Sequence, residues 1–239
     1  MCAHILPKEL QWLNILEPFR KEIRAYAGGR LKLHKYFHHL NSSQAFALNL
    51  FFPFFEAHRP ESRFLIAALG LSGEAADWAP EYVVDREEGT NVDVAWRDKN
   101  QAWIFCEVKL TEQEFGRAAG EERHHLKLRN KYVPFLPDHC ASELLESAAF
   151  FGSYQILRNV WLAARDPGTR VLFLMPKQNE VLWEPLHKVL SCLAPGLRAR
   201  INAVSIEQVL EQLSGDDRLT PQMRWYVSQL AEKYALPAA

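Results

Sequence analysis

The sequence predicts an α/β protein in which helices pack on both faces of a mixed β-sheet. Three short segments of strand type follow one another near the middle of the chain, and two more alternate with helical patterns in the second half. Further helical patterns stand at both ends. Because a helix or a sheet buries its apolar side only against another element, this order favours a layered domain with a sheet at its centre.

The segments that precede the strands have helical patterns. Residues 8–27 predict an amphipathic helix that ends at a pair of glycines. A second helix is predicted from Asn41, which acts as N-cap with Gln44 as its capping-box partner, and Pro53 kinks or ends it. Residues 64–71 also have a helical pattern.

The strand-type segments are rich in β-branched and aromatic residues and are separated by polar turns. The second and third are joined by a short polar loop that suits an antiparallel hairpin. The predicted strands are residues 81–85, 91–96, 102–110, 170–176 and 200–206. The predicted helices of this half are 141–165, 179–193, one capped by Ser205 with Gln208 in capping-box register, and one starting at Thr220 and Pro221.

These elements are interpreted as a single domain, residues 1–239, with a core at about 41–204 and helical additions at 8–27 and 205–235. The net charge of −1 means that any surface for a polyanion is a local patch. The 4 cysteines are scattered and have no metal-ligand or disulfide spacing. The sequence has no secretory signal and no apolar run of membrane-spanning length, so we expect a cytoplasmic protein without a membrane segment.

Two acidic residues lie on neighbouring strands of the predicted hairpin. The midpoint of the hairpin places Asp93 opposite Phe105 or Glu107, and either register leaves Asp93 and Glu107 on the same face of the sheet. Opposed like charges destabilise a strand pair, and a divalent cation bridging both carboxylates would offset their repulsion. Alternation predicts that three apolar residues of the strand share the other face: Val92, Val94 and Trp96.

A lysine accompanies this pair of acids. Lys109 follows Glu107 by two positions and therefore lies on the same face of the strand. Next to a metal ion, it would stabilise charge developing on a phosphate, or position and help deprotonate the attacking water. An Asp followed by Glu-x-Lys on adjacent antiparallel strands is an arrangement that hydrolyses phosphodiesters.

At these residues the sequence resembles the PD-(D/E)XK nuclease superfamily, which has the restriction-endonuclease-like fold. The motif of that superfamily corresponds here to Asp93, Glu107 and Lys109. Its core order of helix, three strands, helix and strand (αβββαβ) matches residues 41–176. One departure is that Val92, not Pro, precedes the aspartate.

Many members of the superfamily carry a glutamine on the helix after the lysine strand. Gln155 lies in that place, although the residue four positions later is Asn159 rather than the Tyr of some subfamilies. The segments "NSSQAFALNLF", "GTNVDV" and "EVKLTEQEFG" are also similar to the bacterial restriction-endonuclease-like proteins of the PGN_0703 type.

The resemblance implies cleavage of DNA that depends on Mg²⁺, with Mn²⁺ as an alternative. Asp93, Glu107 and the backbone carbonyl of Val108 would bind the metal. Lys109 would act on the attacking water and the transition state, and Gln155 would orient the water, the lysine or the phosphate.

Several polar residues are candidates for contact with DNA, although solvated surface explains the basic ones equally well. The candidates are Gln44, Arg123, Lys127, Arg129, Lys131 and Arg158. Three further acids are candidates for an additional metal ligand: Glu74, Glu81 and Asp85. Their positions in turns or at strand ends, where side chains are solvated, explain them equally well. The histidines match no zinc spacing, and the GxSxG motif of serine hydrolases is absent.

Two other interpretations remain at this point. The first is a protein that keeps the nuclease fold as a catalytically inactive DNA-binding or scaffold module. The second is an unrelated α/β protein whose Glu-x-Lys lies on an exposed edge strand, which requires Asp93 and Glu107 to be far apart or directed to solvent. The sequence leaves open the DNA sequence recognised, endonuclease against exonuclease action, and the oligomeric state, a homodimer included.

Overall fold

A five-stranded mixed sheet forms the centre of the protein, in a computed structural model that describes residues 4–234 except for the side chain of Thr90. The strands lie in the sheet in their order along the chain. The first, second and third strands pair with one another in antiparallel fashion, and the third, fourth and fifth pair in parallel. The strands are β1 Trp78–Asp85, β2 Thr90–Arg97, β3 Trp103–Val108, β4 Arg170–Met175 and β5 Ile201–Ser205.

Helices precede, connect and follow the strands. The α-helices of the described residues are α1 Arg20–Ala27, α2 Ser43–Phe52, α3 Ser62–Ala68, α4 Glu122–Lys127, α5 Ser147–Gly152, α6 Tyr154–Arg165, α7 Glu180–Ser191, α8 Pro195–Arg198, α9 Ile206–Ser214 and α10 Pro221–Tyr234. Shorter helical turns of 3₁₀ or π type occupy Lys8–Asn14, Glu17–Phe19, Pro53–Ala57, Arg59–Glu61, Leu128–Tyr132 and Ser142–Leu145. None of the helices in residues 4–234 combines the length and the apolar character needed to cross a bilayer.

The two faces of the sheet are covered by different helices. One face packs against α2, α3, α9 and α10, where Trp96 is completely buried. The other packs against α5, α6 and α7, where Trp161 is buried. The predicted fold class, a mixed sheet flanked by helices with the restriction-endonuclease-like core order, is therefore confirmed.

The antiparallel hairpin of β2 and β3 has one of its two predicted registers. Val94 pairs with Cys106, and continuing this register by one residue places Glu107 opposite Asp93. This leaves Phe105 opposite Ala95, so the alternative register is excluded. The end of the hairpin therefore brings the two acids to the same part of the sheet.

The alternation predicted for β2 is wrong at its beginning. Val92 packs with Ala95 in the core next to α6, whereas Val94 and Trp96 pack in the core next to α2. The change of face occurs beside Glu81 of β1, whose backbone φ of 52° lies in the left-handed region. That conformation is strained for a residue with a side chain and interrupts the regular pleat.

The segment 8–27 is not one helix, contrary to the prediction. It forms two 3₁₀ turns and α1, and the chain is extended at Ile15 and Leu16 between the turns. The amide of Leu16 donates to Oδ1 of the buried Asn49 in α2 at 2.9 Å. Because this tertiary partner satisfies the amide, a continuous helix is not needed here. Residues 1–3 and 235–239 of the predicted domain 1–239 lie outside the described residues. The last residue of the predicted addition 205–235 is among them.

The start of α2 also differs from the prediction. The helix begins at Ser43 with Ser42 as N-cap, and Asn41 lies before it. The hydroxyl of Ser42 accepts a hydrogen bond from the amide of Ala45 at 3.3 Å. Gln44 is therefore not a capping-box partner, and its buried amide is available for tertiary hydrogen bonds.

The predicted helix 141–165 is divided into a 3₁₀ turn, α5 and α6. The break between α5 and α6 lies at Ser153, after Gly152, where the backbone leaves the helical region. In the first turn of α6, the amide of Gln155 donates to the carbonyl of Gly116 at 3.0 Å. The break thus allows the long loop after β3 to fix the start of α6 against the end of the hairpin.

Candidate active site

A cavity of about 620 Å³ opens where β1, β2 and β3 meet the beginnings of α2 and α6. We call it the acidic cavity, because its acidic side chains outnumber its cationic ones. The hypothesis of an unrelated protein with Asp93 and Glu107 far apart or directed to solvent is wrong, since both line this cavity and Glu107 is only 3% exposed. Six predicted site residues line it together: Gln44, Asp93, Glu107, Lys109, Gln155 and Arg158.

Glu107 is held by four donors. Its Oε1 accepts from Nε2 of Gln155 at 2.5 Å and lies 3.0 Å from Nζ of Lys109. Its Oε2 accepts from Nη2 of Arg158 at 3.2 Å and from Nδ2 of Asn159 at 3.1 Å. Burial alone would raise the pKa of Glu107, but the charges of Lys109 and Arg158 bring it below its usual value. Glu107 is therefore ionised, and each of its oxygens already accepts two hydrogen bonds.

Asp93 reaches across the hairpin to the next strand. Its Oδ2 accepts a hydrogen bond from the amide of Val108 at 2.7 Å. Burial and the nearby charge of Glu107 raise the pKa of Asp93 well above its usual value. Burial would lower the pKa of Lys109, but Glu107 and Asp93 raise it. Lys109 is therefore protonated and acts as a cation at neutral pH.

Gln155 is oriented by the loop after β3. Its Oε1 accepts from the amide of Gly116 at 2.8 Å, which turns its amide nitrogen towards Glu107. A Cβ atom at position 116 would lie 3.4 Å from this oxygen, which is an ordinary van der Waals contact. The backbone amide of Gly116 thus fixes the orientation of the glutamine.

Asn159 is a residue of this cluster to which sequence reasoning gave no role. It follows Gln155 by one helical turn on α6, and it is completely buried. Its Oδ1 is buried without a hydrogen-bond partner among the described residues. The signal was its i, i+4 spacing from Gln155, because residues so spaced lie on the same face of a helix.

A second layer of polar contacts involves β1. The amide nitrogen of Gln44 donates to Oε1 of Glu81 at 2.8 Å, and Asn91 donates to Oε2 of Glu81 at 2.5 Å. Burial first, and then the charge of Glu107, raise the pKa of Glu81 above its usual value. Of the three acids considered as an additional ligand, Glu81 lines the acidic cavity.

The other two acids of that group are placed differently. Asp85 accepts from Nζ of Lys131 and from Nη1 of Arg165, each at 3.0 Å. Burial would raise the pKa of Asp85, but the hydrogen bond from the backbone amide of Glu88 and then these cations bring it below its usual value. Glu74 is exposed and does not line the acidic cavity.

The predicted DNA-binding cations divide into two groups. Arg123, Lys127 and Arg158 line a second cavity of about 270 Å³, which we call the basic cavity. Arg129 and Lys131 line neither of these two cavities. Arg129 lies 3.9 Å from the carboxylate of Glu122, and Lys131 is bound to acids of the turn between β1 and β2.

A buried carboxylate supports the basic cavity and was not predicted. Glu88, only 3% exposed, accepts from the hydroxyl of Tyr132 at 2.8 Å and from the hydroxyl of Tyr154. Nζ of Lys127 lies 3.5 Å from the same carboxylate oxygen and also donates to the backbone carbonyl of Glu88. No sequence pattern marks this residue, because it belongs to a polar turn whose partners lie on distant helices.

The acidic cavity contains donors suited to a hard cation, as the chemistry of its side chains indicates. Magnesium binds through one or two carboxylates and retains several waters, and the carboxylates of Asp93 and Glu107 meet this requirement. Within residues 4–234, no group of three or more His, Cys, Asp or Glu side chains is arranged to hold a metal ion. A cation would therefore complete its shell with backbone oxygen, water or phosphate.

Comparison with known proteins identifies a family. A family model described as "Restriction Endonuclease associating with ARP" matches residues 2–235. No curated protein and no solved structure matches the chain. The predicted restriction-endonuclease-like resemblance is thereby confirmed, while the match does not address the narrower PGN_0703-type similarity. Since the match covers nearly the whole sequence and agrees with the fold, the chain belongs to the restriction endonuclease family that is described as associating with ARP.

Proposed function

We propose that the protein is a nuclease that hydrolyses phosphodiester bonds of DNA with the help of Mg²⁺ or Mn²⁺. The observation that carries this proposal is the ion pair of Glu107 and Lys109, 3.0 Å long, in one cavity with Asp93. The chain's membership of a restriction endonuclease family supports a nuclease in general. The metal, the DNA substrate and the roles of individual residues belong to the proposal.

In this proposal Asp93, Glu107 and the backbone carbonyl of Val108 hold the cation. The cation would lower the pKa of a bound water and polarise the phosphate. Lys109, which is protonated, stabilises negative charge developing on the phosphate. Gln155 keeps the carboxylate of Glu107 in position through its amide nitrogen.

Loading of a cation has a structural cost in this proposal. Each oxygen of Glu107 already accepts two hydrogen bonds, so Lys109 or Arg158 would have to withdraw if Glu107 were to bind the cation. A side chain that withdraws is then available to the phosphate. The same cations thus balance the charge of Glu107 before loading and that of the substrate afterwards.

The test is incubation of the protein with plasmid and linear DNA in Mg²⁺ or Mn²⁺. We expect Asp93→Asn and Lys109→Met to lower the cleavage rate by about 10²–10⁴-fold, because each removes a charge that acts on the reacting phosphate or its cation. Lys99→Met, in the exposed loop of the same hairpin, is the matched control and should cleave as the wild type does. Cleavage by Lys109→Met at the wild-type rate would defeat the assignment.

The fully occupied carboxylate of Glu107 also favours a second candidate function. A member of the fold that binds DNA without turnover would use Lys109 and Arg158 as permanent partners of Glu107. Titration with Mn²⁺ in the presence of DNA separates the candidates. Binding of metal that requires Asp93, without cleavage of any nucleic acid, supports the inactive module.

The partner remains part of the proposal. The matched family is described as associating with ARP, and we infer that this chain also acts with such a partner. A homodimer is the alternative assembly. Light scattering of the chain alone tests the homodimer, which would have a mass near twice 27.6 kDa.

A further inference from the structure

The basic cavity has the charge of an anion site. Among its lining residues, the three cations Arg123, Lys127 and Arg158 face a single carboxylate, that of Glu88. The carboxylate is occupied by two tyrosine hydroxyls and by Lys127. Two of the cations also pair with acids outside this lining, Arg158 with Glu107 and Arg123 with Glu121. The lining itself carries more cations than acids, and its N–H donors suit a phosphate group.

Arg158 provides an independent observation at this cavity. Its side chain is 12% exposed, and its Nε is buried without a hydrogen-bond partner in the described part of the chain. Leaving such a donor unpaired is costly, so a shift of the guanidinium that pairs it with an acceptor is favourable. Since Arg158 lines both cavities, one guanidinium is within reach of groups bound in either of them.

The framework of the basic cavity is fixed from within the protein. Glu88 ties the turn between β1 and β2 to Tyr154 at the start of α6 and to Lys127 at the end of α4. Arg123, by contrast, is an exposed residue of α4 that pairs with the exposed Glu121 at 2.8 Å. The cavity therefore combines a rigid wall with one cation that a ligand can recruit.

We propose that the basic cavity binds a second phosphate of the nucleic-acid strand whose neighbouring phosphodiester enters the acidic cavity. The identity of the ligand as a nucleic-acid strand rests on the proposed function, whereas binding in this cavity does not require cleavage. Arg158 contacts both phosphates or passes from Glu107 to one of them. Arg123 and Lys127 hold the second phosphate and so set the position of the strand.

The test is binding of fluorescently labelled DNA by anisotropy in EDTA, where no cleavage occurs. We expect Arg123→Gln to weaken binding by about three- to tenfold and to reduce the slope of log affinity against log salt by about 1. Arg59→Gln is the matched control, because Arg59 is similarly exposed at 62%, is paired with Glu56 and lines neither cavity. It should bind as the wild type does.

The choice of DNA probes distinguishes a phosphate at the 5′ end of a strand from a phosphate inside the strand. The probes are 12-nucleotide strands with and without a 5′-phosphate, and circular DNA without ends. A loss confined to the 5′-phosphorylated strand assigns the cavity to a terminal phosphate, and a loss for all probes assigns it to an internal one.

Equal binding of every probe by Arg123→Gln and Arg59→Gln overturns this inference. That result would leave the proposed nuclease untouched, because cleavage is measured separately with the Lys109 variant. Conversely, the wild-type protein could cleave no DNA while Arg123→Gln still weakens DNA binding. That result would support the phosphate site and rule out the proposed nuclease. Circular dichroism of each variant verifies that the fold is intact.

Discussion

The acidic and basic cavities lie side by side and share Arg158, yet they carry opposite charge. The acidic cavity takes its carboxylates mainly from strands, whereas the basic cavity takes two of its cations from α4. The acids of the first are Glu81, Asp93, Glu107 and Glu112, against the cations Lys109 and Arg158. A hairpin thus concentrates anionic groups at the end of a sheet, and a short helix beside it supplies cations for the remainder of a polyanionic ligand.

The two cavities also differ in how their buried carboxylates are stabilised. Oε1 of Glu88 in the basic cavity has two tyrosine hydroxyls and Lys127 as partners, whereas Asp93 in the acidic cavity accepts a backbone hydrogen bond and carries a raised pKa. One acid should therefore contribute to stability, and the other should reduce it. Stability measurements on the two residues test this difference.

The largest expected effect is a loss of stability when the buried carboxylate of the basic cavity is removed. Glu88→Ala should lower the free energy of unfolding by about 2–4 kcal/mol, because it leaves two tyrosine hydroxyls and Lys127 without their buried partner. Urea denaturation measures the change. Glu87→Ala is the control: its side chain is 87% exposed and pairs with Lys131, so about 0.5 kcal/mol or less is expected. Equal losses for the two variants would show that Glu88 has no special structural role.

A smaller effect of opposite sign is expected in the acidic cavity. The raised pKa of Asp93 means that the folded protein binds this proton more tightly than the unfolded chain does. Stability therefore falls as the pH rises from the unfolded value through the folded one, and at higher pH the charged Asp93 is unfavourable. Asp93→Asn should raise the unfolding free energy by about 1 kcal/mol at pH 8 in EDTA, or Tm by about 2–4 °C.

The pH dependence supplies the control for this prediction. In acid, where Asp93 is protonated in both states, the advantage of Asp93→Asn should disappear. Asp138→Asn, at an exposed position, should change Tm little at either pH. If Asp93→Asn is less stable than the wild type at pH 8, the negative charge of Asp93 does not destabilise the folded protein.

The smallest expected effect concerns the shared arginine. Arg158→Gln removes a cation 3.2 Å from Glu107, so the acidic cavity becomes more negative. We expect Mn²⁺ to bind about threefold to tenfold more tightly in calorimetric titration without DNA, an effect of about 1 kcal/mol. Arg158→Lys, which keeps the charge, should bind Mn²⁺ as the wild type does. Weaker metal binding by Arg158→Gln would mean that the arginine organises Glu107 rather than competing for it.

The sheet and the hairpin could be predicted because their signals are local. Alternating apolar residues and a polar loop give the strands, and the loop length limits Asp93 to two partners across the hairpin. The change of face at Val92 could not be predicted, since it accompanies the left-handed backbone of Glu81 on another strand. The division of 8–27 likewise depends on Asn49, a distant residue of α2.

The candidate site was predictable where spacing carries the information. Lys109, two residues after Glu107, follows from the period of a strand. Gln155 was identified through the resemblance to the nuclease superfamily, many members of which carry a glutamine on that helix. Gln44 was read as a cap because its local pattern fits, but Ser42 is the cap and Gln44 binds Glu81. Glu88 was missed because its partners, Lys127 among them, come together only through tertiary packing.

Arg158 also constrains how relatives of this chain can diverge. Its guanidinium forms part of the walls of two compartments, so a neutral residue at this position alters both of them in one mutational step. Further substitutions would then be needed to compensate at Glu107, whose charge Arg158 neutralises, and separately at the neighbouring cations Arg123 and Lys127. We therefore expect positions 107 and 158 to covary among homologues, and a lineage that lost one of the two compartments to be free to replace the arginine.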